Sequence, residues 1–214
     1  MRFDIAQFLI VIGVLVVSTV LHEMAHGGVA YLLGDTTAKE NGRLSLNPLK
    51  HIDPYMSIVV PVILYLVGGP IFGGAKPVPV DSRRLKWGPW GMALVAVAGP
   101  LTNFLLALLC FLIGWATGAL QTTDSGIVGT IFAEGVMINL GFFIFNLIPI
   151  PPLDGSRILY AIAPDGARRV MENLEKYGLM IVLLLVMMFS SGLSRLLIGG
   201  MNGILDFFYF LVGA

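Results

Sequence analysis

Residues 22–26 read HEMAH, two histidines four positions apart with a glutamate beside the first. At i and i+4 on a helix both imidazoles share one face. Two neutral imidazoles so placed can bind one zinc ion, and the neighbouring carboxylate can take a proton from zinc-bound water. A catalytic zinc needs a third protein ligand and keeps one position open. Asp154 is the candidate. In NLIPIPPLDGSRIL it follows Pro149, Pro151 and Pro152, which stop a helix, and precedes Gly155, which lets the backbone turn its carboxylate back into the protein. Read alone, Asp154 would simply cap the helix after it; read with His22, His26 and Glu23 it is expected to be the third ligand.

The elements that must position these groups lie in a membrane. Of 214 residues, 57% are hydrophobic and 12% charged, where a soluble domain carries about twice that charged fraction. Apolar stretches cover residues 5–33, 54–74, 91–117, 126–149, 177–197 and 199–213, with a break expected at Gly199-Gly200. The first run continues past the histidines without a small-residue cleavage site, so it reads as a retained helix rather than a signal peptide. HEMAH therefore sits inside a span, where an Asp, Lys or Arg costs about 2.5–3.5 kcal/mol to insert, and three ionisable groups in five residues need a shared reason. The expected fold is an all-α membrane protein: one domain over residues 1–214, a polytopic helical bundle of five to six hydrophobic segments. Alternation around residues 39–46 reads as a short extended element, and GGAKPVPV, with Pro77 and Pro79, cannot be helical across its prolines. Thirteen basic groups balance thirteen acidic ones with no Lys/Arg run, which excludes nucleic acid as a partner. The single cysteine, Cys110, excludes an intramolecular disulfide and a Cys-rich metal site.

The ligands also test the topology. If every apolar stretch crossed the bilayer, the loops after the first and fourth spans would lie on opposite faces, and His26, about 7 residues or roughly 10 Å from its helix end, could not share an ion with Asp154. Residues 54–74, rich in proline and glycine, are therefore expected to be re-entrant or broken. Charge agrees. Full crossing divides the basic residues nine to four, whereas the re-entrant reading moves Lys39, Arg43 and Lys50 to the cytoplasmic side and Arg2 away from it, giving eleven to two. The N-terminus is then extracytoplasmic and the metal faces the cytoplasmic side.

HEMAH in one helix, with Asn146, Pro149 and Leu153-Asp154-Gly155 in a later segment, resembles the site-2 protease family of intramembrane zinc metalloproteases. AGPLTNF (98–104), LNPLKHIDP and GGAKPVPV extend the resemblance over about residues 8–160. It implies a catalytic core over about 5–160 with additional spans over about 177–213, one catalytic Zn2+ held by His22, His26 and Asp154, and Glu23 as the catalytic glutamate. It further implies that Asn146 helps to hold the substrate strand, and that the enzyme cuts peptide bonds within or near transmembrane segments in regulated intramembrane proteolysis. The implied partners are a transmembrane protein substrate and the lipid bilayer; whether another protease trims the substrate first stays open. The implied location is a prokaryotic cell membrane. The resemblance is to a short form of the family, expected to be without the PDZ or CBS modules that many relatives carry.

Asn103, a buried amide within a span, must find partners, and either the zinc-site helix or the substrate backbone would serve. His51 reads as a turn-stabilising residue and Gly99-Pro100 as close helix packing. Residues 39–46 or GGAKPVPV could offer an edge to an unwound substrate. The remaining alternatives are another intramembrane zinc hydrolase, because the motif specifies metal-assisted hydrolysis more strongly than a protein substrate, and a transporter with a buried ionisable site.

Overall fold

The structure, a computed structural model, describes residues 5–53, 59, 76–122, 126–188 and 190–214. Within them the regular structure is helical, with no strand. The α-helices are α1 (Ile5–Leu32), α2 (Thr37–Glu40), α3 (Pro89–Ala116), α4 (Gly126–Asn146), α5 (Asp154–Ile162), α6 (Asp165–Glu175), α7 (Gly178–Met188) and α8 (Ser190–Leu211), with a single 3-10 turn at Pro48–Lys50. Helices α1, α3 and α4 are each long and apolar enough to cross a membrane, and α7 with α8 passes the same test as one bent pair. The segment 54–74, expected to be re-entrant or broken, lies outside the described residues apart from Val59.

Helix α3 is central and packs on α1, α4 and α5. Small residues set these approaches: a Cβ on Gly135 of α4 would come 2.7 Å from Cys110 Sγ, and one on Gly114 would meet Leu120 and Phe132. Close backbone approach through small residues is how helices associate in lipid, where burial against apolar tails adds little. One core cluster joins Ala107, Phe111, Val136, Leu140, Met201 and Phe208 of α3, α4 and α8; a second joins Ala30 and Leu33 to Leu85 and Val95.

Helix α1 ends in a turn that the sequence encodes. Gly34, at φ +104°, takes the left-handed conformation, while Asp35 N–H donates to Ala30 O and Gly34 N–H to Tyr31 O. The extended element expected near 39–46 does not form. Asp35 Oδ1 accepts from Thr37 N–H (3.0 Å) and Thr37 Oγ1–H (2.5 Å), and this capture of the chain precedes α2. Helix α2 then closes by Arg43 N–H to Ala38 O and Gly42 N–H to Lys39 O. The break between the last two helices falls after Met188 and not at Gly199-Gly200, which lie inside α8. A Cβ on Gly200 would lie 2.9 Å from Ile144 Cδ1, so this glycine packs closely against α4.

Candidate metal centre

Ser18, His22, His26 and Ala30 recur every four residues and form a buried face of α1. Asp154 is the first residue of α5, where an acidic side chain suits the positive end of the helix dipole. Its helix is folded tightly against the end of α4: a Cβ on Gly155 would lie 2.2 Å from Leu147 O, so only glycine allows this return. The consequence is that His22 Nε2 and Asp154 Oδ2 lie 3.3 Å apart, His26 Nε2 and Asp154 Oδ2 3.4 Å apart, and the two Nε2 atoms 2.9 Å apart. Three corners of a zinc tetrahedron with bonds of about 2.0–2.1 Å stand about 3.3 Å from one another.

The hydrogen bonds around the triangle decide what its corners offer. His26 Nδ1 donates to Val95 O (2.7 Å) and His22 Nδ1 to Asn103 Oδ1 (2.5 Å). Both neutral rings therefore direct an Nε2 lone pair at the centre. Asp154 Oδ2 is buried with no hydrogen-bond partner among the described residues. With both rings in the neutral form, three acceptors converge there and repel one another unless a cation sits between them. The donor set, two imidazoles and one carboxylate, suits zinc and leaves a fourth position open. Among the described residues this is the group of His, Cys, Asp and Glu side chains with ligand atoms close enough to share an ion.

Glu23, half-buried on the next position of α1, accepts the backbone N–H of Val78 at Oε2 (2.8 Å). The two residues before Val78 are pinned. Lys76 N–H donates to His51 O (2.9 Å), and the buried Arg43 donates from Nη2 to Lys76 O (2.5 Å) and Pro77 O (3.3 Å). Pro77 and Pro79 have no N–H, so between residues 76 and 79 both backbone donors are already used. A substrate strand laid along these residues would find acceptors alone, which weakens the expectation that they offer a pairing edge. His51 bonds Ser45 O through Nε2 (2.8 Å) and acts within its own loop, as its turn-rich setting suggests.

Asn103 is fully buried and its amide is committed: the oxygen to His22, the nitrogen to Asn139 Oδ1 (2.8 Å). Of its two expected roles, the bond to the zinc-site helix is the one the structure forms. Asn146 closes α4, half-buried. Sequence reasoning missed Ser18 and Asn139, although a serine one turn before His22 and a second amide within a span were both legible signals. It also assigned Gly99 to packing alone, whereas this glycine lies directly against both histidine rings.

The profile of peptidase family M50 matches residues 116–189, which include Asn146 and Asp154. The chain is 41% identical over 176 residues to YwhC of Bacillus subtilis, a protein named as a zinc metalloprotease, over 80% of this chain and 77% of that one. It is 31% identical over 199 residues to Rip2 of Mycolicibacterium smegmatis, named likewise, over 89% of this chain and 71% of that one. MJ0611 of Methanocaldococcus jannaschii, also so named, is 33% identical over 105 residues, 49% of this chain and 51% of its own. No solved structure matches the chain.

Proposed function

From the premise that this chain belongs to peptidase family M50, the site-2 proteases, and is a zinc metalloprotease of the membrane, we propose that it cuts peptide bonds within or beside transmembrane segments of other membrane proteins, in regulated intramembrane proteolysis. His22, His26 and Asp154 would hold the zinc ion. When bound, zinc acidifies a water molecule toward neutrality and polarises a carbonyl oxygen. The rest is done by the chain. Glu23 accepts a proton at its carboxylate and returns it to the leaving amine nitrogen. Val78 N–H holds that carboxylate at Oε2. Asn103 Oδ1 and Val95 O aim the two imidazoles.

A helical substrate hides its carbonyls in i to i−4 hydrogen bonds, so it must unwind locally, and segments with helix-weakening residues are cut preferentially. Asn146, at the end of α4 and eight residues before Asp154, takes the unwound strand. The N-terminus is extracytoplasmic and the site faces the cytoplasm. The basic residues on the connectors support this sidedness. So do the bonds Lys76 N–H to His51 O and Lys86 N–H to Leu33 O, both 2.9 Å, which tie the connector after α1 to the one before α3.

The observation that carries the proposal is the convergence of two imidazole Nε2 atoms and one buried carboxylate oxygen within 3.4 Å of one another. Its test is cleavage of a panel of single-span membrane substrates by purified, zinc-loaded protein beside Asp154→Ala, with zinc measured in each. We expect cleavage and stoichiometric zinc in the wild type, and loss of both in the variant. Zinc without cleavage of any substrate would sink the intramembrane reading; a wild type that takes up no zinc would sink the ligand assignment.

A further inference from the structure

Asn139 of α4 donates from Nδ2 to Gly135 O (2.8 Å) and to Ser18 Oγ (2.9 Å), and its Oδ1 accepts from Asn103 Nδ2 (2.8 Å). All three side chains are buried: Asn103 is 0% exposed, Ser18 and Asn139 2%. A backbone carbonyl can only accept, so Gly135 O fixes which end of the Asn139 amide is the NH2. That turns Asn139 Oδ1 toward Asn103, which must answer with its own NH2. Asn103 then has only its oxygen left for His22, and His22 must carry its proton on Nδ1. The polarity of one main-chain carbonyl in α4 thus passes through two amides to a ring on α1.

From this chain of donors we infer that Asn139, through Asn103, is a positioning residue that sets the tautomer of His22 and aims its Nε2 lone pair at the metal. The inference rests on the reading of His22 as a zinc ligand. His26 reaches the same tautomer by a direct route, since its Nδ1 faces the backbone carbonyl of Val95. The two histidines therefore differ in what can disturb them. Loss of the Asn139 amide releases Asn103 to turn over and present its NH2 to His22, which then shifts its proton to Nε2 and can no longer ligate. His26 is untouched by the same change. Replacement of a group that orients a metal-bound histidine typically costs about 10- to 100-fold in metal affinity.

The test uses full-length protein in detergent with 15N-labelled histidine, whose ring-nitrogen shifts report which nitrogen carries the proton. In metal-free wild type we expect both His22 and His26 protonated on Nδ1. In Asn139→Leu, which keeps the branching at Cγ but has no hydrogen-bonding group, we expect His22 to lose that pattern while His26 keeps it, and zinc affinity by chelator competition to fall about 10- to 100-fold. A proton on Nε2 of His22 in the wild type would overturn the relay, and so would an Asn139→Leu protein with unchanged tautomer and affinity. If Asn139→Leu does not fold, the wild-type spectrum still decides. Zinc uptake by the wild type is read separately, so a failed ligand assignment and a failed relay give different results.

Discussion

Gly99 on α3 and His26 on α1 approach so closely that a Cβ on the glycine would stand 2.4 Å from His26 Nε2 and 2.5 Å from its Cε1; the same atom would come 2.6 Å from His22 Cε1. The small residue is the floor on which both rings rest. Such a contact cannot be relieved by a flexible side chain, because the rings are held at Nδ1 by Asn103 and Val95.

Gly99→Ala should therefore lower zinc affinity by about tenfold or more, an effect of the size seen when ligand orientation is disturbed. Helix content should not fall, since alanine is about 1 kcal/mol better than glycine in a helix interior. Gly13→Ala, on α1 where an added Cβ meets nothing within 4 Å, is the matched control and should bind zinc as the wild type does. Chelator competition with circular dichroism separates the two effects.

Glu23→Gln removes the proposed proton acceptor but leaves His22, His26 and Asp154 in place. Cleavage should fall by about 10²–10⁴-fold, the usual contribution of a positioned general base, with zinc content unchanged. Simultaneous loss of zinc would move Glu23 from proton transfer to metal binding. Metal analysis beside single-turnover cleavage distinguishes these.

The local part of this centre is legible in the sequence. His22, Glu23 and His26 are one helical turn, and Asp154 is marked by the prolines before it and the glycine after it. The support for these residues is not legible, because three helices make it: Ser18 and Asn139 meet across 121 residues of chain. Glycine shows the same limit. Gly199-Gly200 reads equally as a break or as a packing surface, and only the neighbouring Ile144 decides. Residues 39–46 alternate as a strand does, yet the side chain of Asp35 captures Thr37 and a helix follows. In each case local pattern admits two outcomes and a tertiary contact chooses.

Asp35 should make the protein acid-sensitive outside the metal centre. Burial raises its carboxyl pKa, but the hydroxyl and N–H of Thr37, the N–H of Asp81 and the charge of Arg84 outweigh burial and hold it below the ordinary value. A lowered folded-state pKa contributes stability that is fully present above the unfolded value, near pH 4, and is lost as pH falls through the folded value. Asp35→Asn should thus destabilise by about 2–4 kcal/mol at pH 7, from the loss of charged hydrogen bonds. The gap between variant and wild type should stay constant down to about pH 4 and close below it. Unfolding temperatures in detergent across this range check the sign.

The last prediction concerns how Glu23 is aimed. The N–H of Val78 reaches Glu23 Oε2 at 2.8 Å, and Arg43 and His51 clamp the two residues before it. Val78→Pro deletes that donor in a stretch where Pro79 already biases residue 78 to extended backbone. Glu23 then keeps its charge but loses its orientation, and a misdirected base costs turnover rather than binding. We expect kcat to fall about tenfold, with KM and zinc content unchanged. Val78→Ala keeps the N–H and removes only side-chain contact beside Gly27, so it should lose stability while retaining kcat. A Val78→Pro protein that cleaves faster than the wild type would show instead that the segment restrains Glu23, and that the N–H must leave it before each turnover.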